Sequence, residues 1–178
     1  MKNRLTKYRL ILSIALSVTA LTLSAKDNVP VEKGKFTPDW NNLSAWECPE
    51  WFENAKFGIW AQWGPQYEAE DGDWYARFMY YKGSSQYNWH VSHFGDPSVF
   101  GLKDLCNAWK AEAWNPDSLI KLYKSVGAQY FMTLGNHHDN FDLWNSSYQE
   151  WNSVNVGPKR DIVKGWSDAC KKYGLPLG

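Results

Sequence analysis

A helix signal that runs directly into a strand signal constrains the fold of this chain more than any other feature. Asn115 is a good helix cap, Pro116 suits the first helical position, and Asp117 places an acid in the first turn. Apolar residues then recur at helical spacing, at Leu119, Leu122, Tyr123 and Val126. Gly127 predicts the end of the helix. The apolar run 128–134 that follows predicts a fully buried strand of a parallel sheet.

The same alternation occurs on both sides of this stretch. A short helix is predicted over 41–54, and the apolar run 56–64 predicts a buried strand that ends in Gly-Pro. A second helix starts near 158–161 and ends at Gly174, and residues 175–178 predict the start of another strand. The apolar stripe of this second helix consists of Ile162, Val163, Trp166, Ala169, Cys170 and Tyr173. Alternating strands and helices predict an α/β fold with parallel strands.

The absence of a glycine-rich phosphate motif after either strand favours a barrel over a dinucleotide-binding fold. A complete eight-stranded (β/α)8 barrel takes about 250 residues. The chain has 178. We therefore expect the first part of a TIM-type barrel, incomplete in this sequence.

The amino-terminal segment has the layout of a secretory signal peptide. A basic start precedes the apolar run 10–23, and small residues follow at Ser24 and Ala25. We predict a signal peptide over residues 1–25, with an uncleaved anchor as the alternative, and export to the periplasm or secretion. After cleavage no stable membrane insertion is expected. Residues 26–39 are polar and contain Pro30, Gly34 and Pro38, which predicts a linker before a catalytic barrel portion at 40–178.

Composition limits the classes of ligand that the protein can be expected to bind. Nineteen basic and nineteen acidic residues give a formal charge of zero, which argues against nucleic-acid binding. Twelve Trp, ten Tyr and eight Phe indicate either a large core or a cleft that stacks on sugars. Cys48, Cys106 and Cys170 fit no zinc spacing and are predicted to be core residues. Nothing in the sequence indicates a metal or an organic cofactor.

Polar residues follow both predicted strands, where a barrel keeps its working residues. Gln62 lies at the end of the first strand, and His137 and His138 follow the second. Neighbouring side chains on an extended chain point to opposite faces, so one metal ion would not easily bind both histidines. Hydrogen bonds to a polyhydroxylated ligand suit the pair better, and hydrogen bonds to loop carbonyls are the alternative.

The long insertion after the first strand supplies a second candidate pair, Asp73 and Trp74. A carboxylate accepts hydrogen bonds from sugar hydroxyls, and an indole ring packs against the C–H face of a sugar. A solvated acidic loop is the alternative interpretation. His90 and His93, further along the insertion, are predicted to be structural.

Several separated motifs within residues 46–178 together resemble those of a known enzyme family. They are residues 51–59 continuing to Gln62-Trp63-Gly64, Asp73-Trp74-Tyr75 with Met79, His137-His138-Asp139 with Phe141, Leu143-Trp144 and Ser146, residues 151–154, and residues 157–161. In this order they resemble the opening of glycoside hydrolase family 29, the α-L-fucosidases.

The resemblance implies a (β/α)8-like barrel followed by a β-sandwich, and hydrolysis of terminal α-L-fucose from fucosylated glycans with retention of configuration. Retaining enzymes use two carboxyl groups about 5–5.5 Å apart. In the family both lie later in the sequence, so we expect the nucleophile and the acid/base beyond Gly178 and no hydrolysis by the fragment alone. By resemblance, His137 and His138 contact fucose hydroxyls, and Asp73 and Trp74 form the acidic-plus-Trp pair. Gln62 takes the place of a sugar-binding histidine. The family chemistry needs no cofactor.

Four residues depart from the family pattern. Asp73 stands for the usual Glu and Gln62 for His, while Asn136 and Asn140 replace the common Lys and Gly around the double histidine. These departures leave the exact sugar open, between fucose with an altered linkage preference and a related sugar such as galactose. Two further alternatives to a fucosidase also remain open: a non-catalytic carbohydrate-binding relative, and a structural piece with no ligand.

Overall fold

The computed structural model describes residues 34–178. The predicted signal peptide and residues 26–33 of the predicted linker lie outside the described residues. The chain divides after Glu47 into two compact units. In the first unit, residues 34–39 form no helix or strand, and a short helix, α1, covers Trp40–Leu43. Asp39 caps α1 by accepting a hydrogen bond from the backbone N–H of Asn42.

The prediction of one helix over residues 41–54 is wrong. Helix α1 ends at Leu43, and a separate helix, α2, covers Glu50–Ala55 in the second unit. Pro49 is the cap residue of α2, with extended backbone angles. A proline disfavours helical geometry in the residue before it, so a helix does not continue through Cys48.

A parallel sheet forms the centre of the second unit, as predicted. Strand β1, Gly58–Ala61, pairs with β2, Tyr130–Thr133, in a register that places Gly58 opposite Tyr130. Residues 175–178 begin to pair on the other side of β2. There the backbone N–H of Phe131 donates to the carbonyl of Pro176 at 2.9 Å, and Leu177 forms a parallel bridge with Phe131.

Both strands are shorter and less covered than predicted. The side chain of Phe131 is fully buried, but those of Trp60 and Met132 are 58% and 41% exposed. Successive side chains of a strand point to opposite faces. The two faces of the sheet are therefore covered unequally, and the expectation of fully buried strands is wrong for the face that carries Trp60 and Met132.

The remaining elements connect and cover these strands. They are a 3-10 turn at Pro65–Tyr67 and the helices α3 Tyr75–Phe78, α4 Ser85–His93, α5 Leu102–Ala108, α6 Pro116–Ser125 and α7 Ile162–Tyr173. The predicted cap of α6 is confirmed, and α7 also has a capping side chain. Asn115 accepts from the N–H of Ser118 at 3.0 Å, and Asp161 accepts from the N–H of Lys164 at 2.7 Å. Gly174 ends α7 with a left-handed φ of 62°.

The predicted apolar stripe agrees with the buried residues in α7 but only in part in α6. The stripe of α7 is confirmed, since Ile162, Trp166, Ala169 and Cys170 are buried. In α6, Leu122 and Val126 are more than half exposed, and the buried residue is Ile120. Helix α6 packs through the face that carries Ile120, Leu119 and Tyr123, so the predicted stripe was displaced around the helix axis.

Two of the three cysteines lie in the core as predicted. Burial raises the pKa of the Cys106 thiol to about 12 and that of Cys170 to about 11. Cys48 is only half-buried, because it lies in the irregular segment before Pro49 rather than under the sheet. Residues 34–178 contain no cluster of three or more metal-ligating side chains. In the same range no helix is long and apolar enough to cross a membrane.

Candidate sugar-binding site

The carboxyl ends of β1 and β2 bring together two of the predicted site residues. Gln62 directly follows β1, and His137 lies four residues after the end of β2. Because the strands are parallel and adjacent, their carboxyl ends meet at one edge of the sheet. Gln62 Nε2 lies 3.2 Å from His137 Nε2, within hydrogen-bond distance.

The insertion after β1 returns to the same edge and adds Asp73 and Trp74. Gln62 Nε2 donates to Asp73 Oδ2 at 2.5 Å, and Asp73 Oδ1 lies 3.7 Å from His137 Nε2. The Trp74 ring stacks on the His138 ring, with centroids 4.6 Å apart and planes 15° from parallel. The structure therefore gathers all five predicted residues into one cluster, which we call the strand-end cluster: Gln62, Asp73, Trp74, His137 and His138.

Electrostatics at the cluster favour a neutral imidazole at His138. Burial, followed by the adjacent His137, lowers the pKa of His138 below its usual value of 6.5. Burial also raises the pKa of the neighbouring Asp139 carboxyl, although the N–H of Phe141 donates to that carboxylate at 3.1 Å. Trp74 is 49% exposed, so part of its surface is open to a ligand.

A buried histidine, His90, anchors the residue that follows the Asp73–Trp74 pair. His90 Nε2 lies 2.7 Å from the carbonyl oxygen of Phe100, and His90 Nδ1 lies 2.7 Å from the Tyr75 hydroxyl. A carbonyl only accepts, so Nε2 carries the proton and Nδ1 accepts from Tyr75. The predicted structural role of His90 is confirmed. His93 lies at the surface, where its ring stacks on Trp89.

Changing Tyr75 to Phe should destabilise the protein through this contact. The substitution removes only the hydroxyl and leaves the buried Nδ1 of His90 without its donor, at a cost of about 1–3 kcal/mol in the free energy of unfolding. Urea unfolding measures the loss. Tyr148→Phe, at a position that is 71% exposed, is the matched control and should change stability by less than about 0.5 kcal/mol. Equal stabilities of the two variants would contradict the anchoring role.

Sequence reasoning missed a sixth member of this region, Tyr67. Its hydroxyl donates to Asp73 Oδ1 at 3.4 Å, and burial together with the Asp73 charge raises its pKa above the usual value of 10.0. The Gly-Pro pair after β1 indicates a turn, but no local pattern shows that the 3-10 turn at Pro65–Tyr67 is oriented so that Tyr67 reaches Asp73.

Two departures from the family pattern have structural explanations. Asn140 has a left-handed φ of 56°, a conformation that glycine usually supplies and that asparagine tolerates better than most residues. Asn136 Nδ2 donates to the buried Asp142 Oδ1 at 2.7 Å and so holds the loop that carries the histidines. Both residues therefore shape the loop that carries the histidines, and neither belongs to the strand-end cluster.

Parallel strands with carboxylate, amide, imidazole and indole groups at their carboxyl ends define an α/β protein with a candidate ligand site at the strand ends. The family described as Alpha-L-fucosidase matches residues 23–178, and the chain belongs to that family.

Individual relatives agree with this assignment. The human plasma alpha-L-fucosidase is 34% identical over 137 residues, covering 73% of this chain and 28% of the relative. A putative alpha-L-fucosidase of Caenorhabditis elegans is 34% identical over 151 residues, covering 80% of this chain and 30% of the relative. The chain spans about a third of the length of the curated relatives it matches.

Solved structures match as well. The Thermotoga maritima alpha-fucosidase in complex with fucose is 33% identical, with a TM-score of 0.73 over 80% of this chain and 36% of that one. The Lactobacillus casei alpha-L-fucosidase in complex with alpha-L-fucose product is 28% identical, with a TM-score of 0.54 over 72% of this chain and 38% of that one.

Proposed function

We propose that the protein is an α-L-fucosidase, and that this chain supplies part of its sugar-binding subsite. The observation that carries the proposal is the strand-end cluster itself. Residues 62, 73, 74, 137 and 138 come from three separate segments of sequence, and hydrogen bonds and ring stacking join them at the carboxyl ends of parallel strands. Membership of the fucosidase family supports fucose as the sugar.

Each group in the cluster has a chemical role that suits a sugar. Asp73 accepts from Gln62 through Oδ2 and from the Tyr67 hydroxyl through Oδ1, and the remaining lone pairs of its carboxylate accept from sugar hydroxyls. The exposed part of the Trp74 ring packs against C–H groups of the sugar. His137 and His138 provide ring nitrogens beside that surface, and neither needs to change its charge to form a hydrogen bond.

The wider organisation follows from the same proposal. Strands β1 and β2 and residues 175–178 are the first three strands of a (β/α)8 barrel whose catalytic portion in this chain is 40–178. Residues 1–25 are a signal peptide that directs export, and 26–39 are a linker. The nucleophile and the acid/base of retaining hydrolysis lie beyond Gly178, a placement supported by the third of the relatives' length that the chain spans.

The test is turnover by the complete gene product that carries these residues. We expect hydrolysis of p-nitrophenyl α-L-fucoside and little hydrolysis of the α-L-galactoside or the β-D-galactoside. Trp74→Ala should raise KM about tenfold, since loss of ring packing costs roughly 1.4 kcal/mol. Trp40→Ala, which removes an 85% exposed ring outside the cluster, is the matched control and should leave KM unchanged.

Other outcomes would decide against a fucosidase. A preference for a galactoside would assign the site to galactose-type sugars, with Gln62 and Asp73 as the residues that changed the specificity. Sugar binding without turnover of any of the three substrates would indicate a non-catalytic relative. Neither binding nor turnover would leave the cluster with a structural role only.

A further inference from the structure

The amide of Gln62 has one orientation that satisfies its neighbours. The side-chain nitrogen and oxygen of a glutamine are told apart by their hydrogen-bond partners. An ionised carboxylate only accepts hydrogen bonds, and Asp73 Oδ2 lies 2.5 Å from the terminal amide atom of Gln62. An oxygen at that position would face the carboxylate oxygen in repulsion. The atom is therefore Nε2, and it is a donor.

The same nitrogen determines which ring nitrogen of His137 carries a proton. Gln62 Nε2 also lies 3.2 Å from His137 Nε2. An amide nitrogen does not accept, so Nε2 of His137 must be the unprotonated acceptor. A neutral imidazole carries its single proton on the other nitrogen, which here is Nδ1.

The proton arrangement then continues to the second histidine. His137 Nδ1 is hydrogen-bonded to His138 Nδ1. Since His137 Nδ1 carries the proton and donates, His138 Nδ1 accepts, and the proton of His138 lies on Nε2. We infer that Gln62 is a positioning residue that sets the tautomers of both histidines, through a directed chain from its amide to His137 and on to His138.

The charged and titratable groups around the pair are compatible with this arrangement. The carboxylates of Asp73 and Asp139 favour a charged His138, while Arg77 and His137 oppose it. Burial is the largest influence, and it lowers the pKa of His138. Tyr67 donates to Asp73 Oδ1, so the Asp73 carboxylate accepts hydrogen bonds from both Tyr67 and Gln62. This accepting role is the one that the series of hydrogen bonds from Gln62 to His138 requires.

This chain of hydrogen bonds gives the site a fixed polarity. His138 offers an N–H donor at Nε2 next to the Trp74 ring, and the amide of Gln62 retains its oxygen as an acceptor. A titratable residue at position 62 would exchange these donor and acceptor roles in the pH range where histidine ionises. A glutamine keeps the roles unchanged over that range.

Nitrogen NMR of the full-length protein labelled with 15N-histidine tests the inference without any ligand. Long-range proton–nitrogen correlations distinguish protonated from unprotonated ring nitrogens. We expect the proton of His137 on Nδ1 and that of His138 on Nε2, and His137→Gln and His138→Gln variants assign the signals. In Gln62→Glu a carboxylate replaces the donor, so His137 should bind a proton at Nε2 and its titration midpoint should rise by about 1–3 pH units.

Gln129→Glu is the matched control, because that glutamine is exposed and its side-chain amide donates to the nearby carbonyl of Gly127, away from the histidines. It should leave the spectrum and both midpoints unchanged. A wild-type spectrum with the His137 proton on Nε2 would overturn the inference, and so would equal midpoints in Gln62→Glu and wild type. The wild-type spectrum decides the question even if Gln62→Glu fails to fold. The readout needs no substrate, so its result is independent of whether the sugar is fucose.

Discussion

Replacing Asp73 by asparagine should lower kcat/KM on an α-L-fucoside by about 10²- to 10³-fold, which corresponds to roughly 3–4 kcal/mol. The carboxylate accepts from Gln62 Nε2 at 2.5 Å and from the Tyr67 hydroxyl at 3.4 Å. An asparagine must present its NH2 group to one of these donors or to the ligand. Hydrogen bonds from sugar hydroxyls to a charged carboxylate contribute about 1.5–3 kcal/mol each, so losing two of them accounts for the expected effect.

Steady-state kinetics of the complete gene product measures this loss. Asp168→Asn is the matched control, since Asp168 is an exposed carboxylate on α7 whose partner is Lys164. An exposed ion pair contributes little, and this variant should retain wild-type kcat/KM. A loss below about threefold in Asp73→Asn would show that the carboxylate does not contact the sugar. Unchanged urea unfolding in both variants would assign any loss to the site rather than to the fold.

The location of the site was accessible from the sequence, because it depends on topology. Apolar runs followed by polar residues marked the ends of both strands, and parallel pairing then brings those ends together. Gln62 and His137 illustrate this, since each lies close behind its strand. The placement of Asp73 and Trp74 beside these two residues was predicted from the family resemblance. No local sequence pattern shows where a long insertion comes back to the sheet.

The sequence alone did not predict which side chains of a helix or strand are buried, because tertiary packing decides this. Periodicity predicts that α6 is amphipathic, but it did not show that Ile120 rather than Leu122 faces the core. An apolar strand has the same sequence whether one or both faces are covered, so the exposure of Trp60 and Met132 was missed. Tyr67 was missed because its contact with Asp73 depends on how a three-residue 3-10 turn is oriented.

Truncating Phe131 to alanine should produce the largest loss of stability, about 3–5 kcal/mol in the free energy of unfolding. The ring is fully buried under the sheet. Its centroid lies 4.8 Å from that of Trp166 on α7 and 5.6 Å from that of Tyr123 on α6. Removing it leaves a cavity where the two long helices meet β2. The backbone bonds of residue 131 to residues 176 and 178 do not involve the side chain, so the loss measures packing alone.

Urea unfolding of the full-length protein monitors this effect, with an unchanged slope and a lower midpoint. Tyr148→Ala removes an aromatic side chain that is 71% exposed and should cost less than about 0.5 kcal/mol. A loss below about 1 kcal/mol in Phe131→Ala would mean that the contacts of β2 with α6 and α7 do not support the sheet. At a temperature where the variant stays folded, kcat/KM should fall less than in Asp73→Asn. Phe131 determines how firmly β2 is held, whereas Asp73 takes part in the hydrogen bonds of the cluster itself.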